Sequence, residues 1–473
     1  MTYDRKETGI HLGLIMNDKI KEQLQLIVGP ENFTDKIIDL VSYSYDASSY
    51  EHRPECAVWA ESTEQVSQIL SLANENKVPV TVRGAGTGLG GLAVPARGGV
   101  VLDLTRMNKI LEISIADRLA VVQPGVVYAG FQAALEPYGF FFPPDPASGV
   151  VCTLGGNVAT NAGGLRAAKY GTTRDYVLSL EAVLASGEVM RVGARTMKTS
   201  SGYDLCRLLV GSEGTLAVIT EITLKIRPKA PCRATALAVF KTLEDAGKAV
   251  TEVMHSKVTP SVMELLDGMV IRLLKEHANI DLPDAEAILL VETDGLEPNY
   301  VRFELESVAA ILKRCNATRL EIAQTEEDAE ALWKARKSIG GMVGAIGLEC
   351  MPEDITVPMS KIAEFLRRSG ELSSKYELPL FNFGHVGDGN LHTNILYSSN
   401  DPDQVTRLER LLFDLHRLAC ELGGTLSGEH GIGMTKAKYM PLEHDPVALK
   451  VMKTLKNALD PNNILNPGKM GLD

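Results

Sequence analysis

Paired cysteines, an excess of basic residues and long apolar runs are all missing from this chain. Its 7 cysteines (56, 152, 206, 232, 315, 350 and 420) are scattered, odd in number and never spaced C-x-x-C. A disulfide framework and an iron–sulfur cluster are therefore not expected, and a reducing cytoplasm fits best. Lys and Arg number 48 against 60 Asp and Glu, a net charge of -12. That balance offers no basic patch to a phosphate backbone and argues against a nucleic-acid partner. No apolar run approaches the ~20 residues that span a bilayer. The start of the chain, Met1 to Leu24, carries Asp4, Glu7, Asp18 and Glu22 and lacks the apolar core of a secretory leader. Repeats and low-complexity tracts are absent too.

What is present is a globular composition, 45% hydrophobic and 23% charged, over 473 residues. That length exceeds one ordinary core, so two or more domains are expected. Amphipathic helices are predicted at Asp18–Val28, with Ile20, Leu24 and Ile27 on one face, and after Ser62, where Gln65 completes a capping box and Val66, Ile69, Leu70 and Ala73 form the apolar side. From a strand at Val78–Val82 to about Arg227 the pattern is mainly short strands (Gly99–Leu104, Leu119–Val122, Leu180–Leu184, Leu216–Ile226) joined by Gly and Pro turns. Composition shifts near Arg227-Pro228-Lys229-Ala230-Pro231. Beyond it, strands at Thr235–Phe240, Ala287–Glu292 and Pro379–Phe383 alternate with helices at Tyr300–Lys313, Glu326–Ile339, Lys361–Lys375 and Pro402–Leu422. This reads as an α+β domain with helices covering an antiparallel sheet. A last helix, Val447–Leu459, leads into a rigid polar tail.

Three glycine-rich loops stand in the first half. Gly86-Thr87-Gly88-Leu89-Gly90-Gly91 contains a formal G-x-G-x-x-G, but Leu92-Ala93-Val94-Pro95-Ala96-Arg97-Gly98-Gly99 follows it and leaves no room for the helix a dinucleotide fingerprint needs. The loop can still form an anion nest from consecutive N–H groups, or be a plain turn. The second loop runs from Pro143 to Ser148 and from Thr153 to Gly164, with Asn and Thr donors among its glycines, and suggests backbone lying against a large polar ligand. The third is Gly211-Ser212-Glu213-Gly214-Thr215-Leu216.

The second half holds three of the chain's 9 histidines in one window. His385 and His392 flank Val386-Gly387-Asp388-Gly389-Asn390-Leu391, a sequence suited to reversing direction and setting two imidazoles on adjacent strand ends. Glu429-His430 follows one helix later. Two imidazoles and a carboxylate suit a divalent metal with an open position, leaving one histidine as a base. Zinc is the first expectation, with manganese and ferrous iron as alternatives, since the donor set does not discriminate strongly among them. Arg336 lies three residues after Trp333 on a predicted helix, either as a solvated charge or as a bidentate carboxylate anchor.

In this order, these loops and histidines resemble the vanillyl-alcohol oxidase/p-cresol methylhydroxylase superfamily. The second half resembles its branch of D-lactate dehydrogenases, glycolate oxidase flavoprotein subunits and D-2-hydroxyglutarate dehydrogenases, and the likeness runs from about Tyr45 to Lys469. It implies a two-part FAD-binding domain (45–229), an α+β substrate or cap domain with the metal site (230–444) and a closing segment returning to the FAD domain (445–473), after a helical extension (1–44). It assigns Arg83, Gly84, Ala85, Gly86, Thr87, Gly88, Pro124, Gly125, Asp145, Thr153, Gly156, Asn157, Asn161, Gly163, Gly214, Ile219 and Asn466 to FAD. No histidine stands in the first loop, so the flavin is expected to be non-covalent. His385, His392 and Glu429 are implied as metal ligands, His430 as catalytic base, Asn394 as a polar contact and Arg336 as the holder of the substrate carboxylate. Relatives specific for 2-hydroxyglutarate carry a threonine and a lysine where this chain has Gly340 and Pro352, which argues for a small monocarboxylic acid.

The expected reaction is oxidation of a small D-2-hydroxy acid, D-lactate first, to the 2-oxo acid, with hydride passing to flavin N5. Glycolate and D-2-hydroxyglutarate are the alternatives. Electrons would leave to an electron-transferring flavoprotein, an iron–sulfur subunit or a quinone, with peripheral membrane contact left open. Competing classes are a metal-dependent hydrolase, a non-catalytic flavoprotein subunit and a redox-neutral ether-lipid synthase. The sequence gives no oligomeric state.

Overall fold

The computed structural model describes residues 16–278 and 280–473. Asp4 and Glu7, on which the reading of the first segment partly rests, lie outside the described residues. Two compact units are formed: the first from the described residues up to Ala162, Thr172–Pro228 and Glu429–Asp473, the second from Gly163–Gly171 and Lys229–Gly428. No described helix is long and apolar enough to cross a membrane.

In the first unit, a four-stranded sheet runs in the order Phe33–Thr34, Cys56–Trp59, Val100–Asp103, Val80–Arg83; the last three are parallel and the first is an antiparallel edge. The helix Thr63–Asn76 starts where Ser62 accepts from the Gln65 N–H at 3.3 Å. Gln65 reaches back one residue further than a capping box requires, its Oε1 accepting from the Glu61 N–H at 2.8 Å. Val66, Ile69, Leu70 and Ala73 pack with Val58, Val80 and Leu102 in one core, joined by Ile20, Leu24 and Val28 of helix Asp18–Val28. Each large side chain buried there contributes roughly 1.5–3 kcal/mol.

A second, antiparallel sheet of five strands runs Ile110–Ser114, Leu119–Val122, Val218–Lys225, Val177–Val183, Val189–Gly193. Its core takes in Tyr128, Phe131 and Leu135 from helix Tyr128–Leu135, an element the strand-dominated pattern of this half does not announce.

The second unit is built on seven antiparallel strands in the order Arg319–Ile322, Cys232–Phe240, Ala287–Gly295, Val262–Asp267, Leu380–His385, Asn390–Tyr397, Glu349–Thr356. On one face Leu237, Val239, Ile288, Leu290 and Phe381 bury against Val270, Leu274, Trp333 and Met342 of helices Gly268–Ala278, Glu326–Lys337 and Ile339–Ala345. The alternating residues Ala236, Ala238, Phe240 and Leu289 are fully buried too, under helices Leu243–Met254 and Pro298–Arg314. Helices cover both faces, as a strand with no solvent-facing side requires. The expected α+β architecture with a helix-covered antiparallel sheet is what the chain adopts.

Candidate active site

Strand register alone brings five buried polar residues of the second unit together. Directly opposed residues of an antiparallel pair share a face, and so do alternate residues of one strand. Glu264 opposes His385, Phe383 opposes His392, and Asp354 and Pro352 oppose His392 and Asn394. Glu264, His385, His392, Asn394 and Asp354 therefore share one face of four neighbouring strands, all buried. The turn Val386–Gly389 brings the two imidazoles together: their Nε2 atoms stand 3.4 Å apart and the rings are perpendicular, 5.0 Å between centroids.

That spacing is too long for a good hydrogen bond but fits a shared ion. Two nitrogens at about 2.05 Å from a tetrahedral zinc stand about 3.3 Å apart. The other ring nitrogens face carboxylates: His385 Nδ1 is 2.5 Å from Glu264 Oε1, and His392 Nδ1 is 3.9 Å from Asp354 Oδ1. A proton on His385 Nδ1, donated to Glu264, leaves the Nε2 lone pair for a metal. Asp354 is itself held by Asn390 Nδ2 at 2.6 Å and Ser427 Oγ at 2.7 Å. The donor set fits a divalent cation.

Arg336 comes from the helix Glu326–Lys337, three residues after the buried Trp333. Its Nε lies 2.5 Å from Glu264 Oε2 and its guanidinium sits over the Phe383 ring, 4.9 Å from the centroid. It is 15% exposed, while Lys337 is 61% exposed and pairs with Glu330. Burial pushes the Glu264 carboxyl upward, but His385 and Arg336 outweigh it and hold the group well below the usual carboxylate range. Asn394 donates to the His392 carbonyl at 3.0 Å, and its Oδ1 faces the Cys350 thiol at 3.5 Å. A side chain at Gly340 would meet nothing within 4 Å.

The glycine loops of the first unit line one cleft. Gly84, Ala85, Gly86, Thr87, Gly88, Pro124, Thr153, Gly156, Asn157, Gly214, Ile219 and Asn466 all border it, together with Glu429 and His430. The N–H groups of Ala85, Gly86, Thr87 and Gly88 donate to no acceptor among the described residues, so they are available to an anion. Gly86, at φ +68°, supplies the left-handed turn that this nest needs. The buried Asn157 Nδ2 finds no oxygen acceptor among the described residues and lies beside the Cys152 thiol. Such a cradle fits a dinucleotide cofactor with a pyrophosphate.

Five residues assigned by resemblance stand outside that lining. Arg83 turns its guanidinium to the Tyr45 carbonyl at 2.8 Å and over the Tyr43 ring. Gly125 fits against the Leu104 carbonyl. Asp145 accepts from Tyr128 Oη at 3.3 Å, and Asn161 caps a helix and accepts from the Arg174 N–H at 2.9 Å. Gly163 belongs to the second unit.

Three acids receive no role from the sequence: Glu264, Asp354 and Glu213, the last named only as part of the third loop. Glu213, buried beside the cleft, accepts from the N–H groups of Ile432 at 2.6 Å and Gly433 at 2.8 Å, and so ties down the loop that carries His430. Burial raises its carboxyl to about 7, against the pull of those two donors and of Lys469. The available signal was a carboxylate inside an otherwise apolar or glycine-rich run, which must find a partner when buried.

Known proteins share this chain's two-part organisation. Residues 54–193 match the family described as FAD binding domain, and residues 229–470 match FAD linked oxidases, C-terminal domain. The chain is 42% identical over 453 residues to the glycolate oxidase subunit GlcD of Bacillus subtilis, covering 95% of this chain and 96% of that protein. It is 40% identical to a D-lactate dehydrogenase of Archaeoglobus fulgidus, covering 86% and 89%. A crystal structure of p-cresol methylhydroxylase with substrate bound shares the fold, with a TM-score of 0.81 at 20% identity over 96% of this chain and 97% of the other. The chain is an FAD-linked oxidoreductase and belongs to the FAD-linked oxidases of the vanillyl-alcohol oxidase/p-cresol methylhydroxylase superfamily, in the branch of GlcD-type subunits and D-lactate dehydrogenases.

Proposed function

We propose that this chain oxidises a small D-2-hydroxy acid, D-lactate first, to the 2-oxo acid and passes the electrons to a protein or quinone acceptor. The observation that carries this reading is the buried His385–His392 pair, 3.4 Å apart at Nε2, beside a guanidinium on the same sheet face. Bound FAD supplies a two-electron acceptor, and a divalent ion supplies charge that lowers a hydroxyl pKa. His385 and His392, with Glu429 as third ligand, would hold that ion, zinc first and manganese or ferrous iron next. Arg336 takes the substrate carboxylate through its Nη groups, since its Nε faces Glu264. Asn394 orients the bound acid. His430 removes the hydroxyl proton at Nε2 or Nδ1 as the α-carbon gives up hydride.

The substrate preference follows from two positions. Gly340 and Pro352 offer no cation or hydroxyl to a distal carboxylate, which favours a monocarboxylic acid over D-2-hydroxyglutarate. Glycolate is the second reading, favoured by the 42% identity to a protein named as a glycolate oxidase subunit. Anaerobic titration of the yellow protein with D-lactate, L-lactate, glycolate and D-2-hydroxyglutarate decides among them. D-Lactate is expected to bleach the flavin fastest. A flavin that none of the four acids bleaches would refute the proposal.

A further inference from the structure

Glu264 has no counterpart in the assigned site, yet it is fully enclosed on the sheet face, with 0% exposure. It sits in the middle of Val262–Asp267, a strand whose six residues are all buried. A lone carboxylate in that position costs several kcal/mol unless both oxygens are satisfied. They are satisfied by two different residues: Oε1 meets His385 Nδ1 and Oε2 meets Arg336 Nε, each at 2.5 Å. One partner arrives by cross-strand register and the other from a helix 72 residues later in the chain.

We infer that Glu264 is a positioning residue that sets metal affinity and substrate-carboxylate affinity together, by fixing the His385 ring with one oxygen and the Arg336 guanidinium with the other. The inference rests on the reading of His385 as a metal ligand and Arg336 as the carboxylate anchor. On the histidine side, accepting the Nδ1 proton selects the tautomer whose Nε2 is a free donor and stops the ring from turning. On the arginine side, occupying Nε removes the side-on mode of carboxylate binding and leaves the end-on Nη pair, while Phe383 fixes the guanidinium plane. The pairing with Glu264 also explains how a cation tolerates this burial before substrate arrives. Asp354 does not duplicate the role, because its oxygen stands 3.9 Å from His392 Nδ1, beyond hydrogen-bond distance.

Glu264→Gln separates the two functions from the fold. Its single carbonyl oxygen can accept from His385 or from Arg336 but not both, and its NH2 group faces a donor. In the FAD-loaded protein, zinc affinity measured by competition with a chromophoric chelator is expected to fall about 10–100-fold. KM for the 2-hydroxy acid should rise in the same variant more than kcat falls. Glu264→Asp, which keeps two acceptor oxygens on a shorter stem, should lie between wild type and Gln on both measures, and it serves as the test if the Gln variant does not fold. Unchanged zinc affinity, or unchanged KM, in the folded variant would overturn the inference. Failure of the underlying reading looks different: wild type would then bind no stoichiometric divalent ion, or none of the acids would reduce its flavin.

Discussion

Glu213 occupies a left-handed backbone position (φ +54°) and spends both carboxylate oxygens on the backbone of the His430 loop. Its folded-state pKa is raised to about 7 from an ordinary 4.5. The unfolded chain therefore ionises this group first as pH rises, and the folded chain follows only near 7. A raised carboxyl contributes most below the unfolded pKa and loses that contribution as pH rises through the folded one. The Tm of wild type minus that of Glu213→Gln is thus expected to shrink between about pH 4.5 and pH 7 and then level off. A difference that widens over that window, read by thermal melts of the FAD-loaded protein, would contradict the burial argument. His430 itself, on the loop that Glu213 holds, is expected to be dispensable for FAD binding and needed for proton removal. His430→Ala should keep full flavin content and slow anaerobic flavin reduction by ~10²–10⁴; stopped-flow reduction at unchanged rate would remove it from the base role.

The decisive element is the hairpin Leu380–His385, Val386–Gly389, Asn390–Tyr397. Its register puts both histidines on one face, and its turn depends on Gly389, at φ +88°, where a Cβ would overlap the Val357 carbonyl oxygen. Gly389→Ala should cost more than ~1–2 kcal/mol from backbone conformation alone and lower the zinc bound per folded chain, both readable by denaturant melts and metal analysis. A variant with wild-type stability and full zinc would show that the turn does not set the histidine spacing. Elements with clean periodicity were legible in the sequence: helix Pro402–Glu421 buries Leu408, Leu412, Leu415 and Leu418 at the expected spacing. The strand Val262–Asp267 was not, because it is covered on both faces and shows no alternation, and its Glu264 finds its partners 72 and 121 residues away. The histidine pair could be read because its residues are close in the chain and separated by turn formers; Glu264 could not, because nothing local reveals its partners. Strand Glu349–Thr356, with Pro352 and two buried acids, hid for the same reason.

Taken whole, the chain sets its glycine cleft and its histidine pair on different units, with Glu429 and His430 among the cleft residues. The glycine cleft is built from first-unit residues alone, and the histidine pair stands on the sheet of the second unit. Stripping divalent ions with a chelator should therefore abolish turnover while leaving the flavin spectrum and FAD stoichiometry intact, and added zinc should restore activity. Loss of FAD along with the ion would show that the cofactor cleft depends on the metal. The family was legible from glycine loops and histidines together, because each lies in a contiguous stretch; the residues outside the cleft lining, such as Arg83 and Asn161, are ones whose side chains turned to nearby backbone groups that no spacing could announce.

The first unit is not made in one piece. Asn466 accepts from the Val82 N–H at 2.8 Å and donates to the Glu213 carbonyl at 2.6 Å, and the strand Val80–Arg83 takes a parallel bridge from Leu465. On the ribosome these partners emerge only after the whole Lys229–Gly428 stretch has been synthesised. The cofactor cradle thus stays unfinished until Asn466 has been made, and FAD capture is expected to follow that step. Nascent chains stalled before Asn466 should leave the exit tunnel colourless.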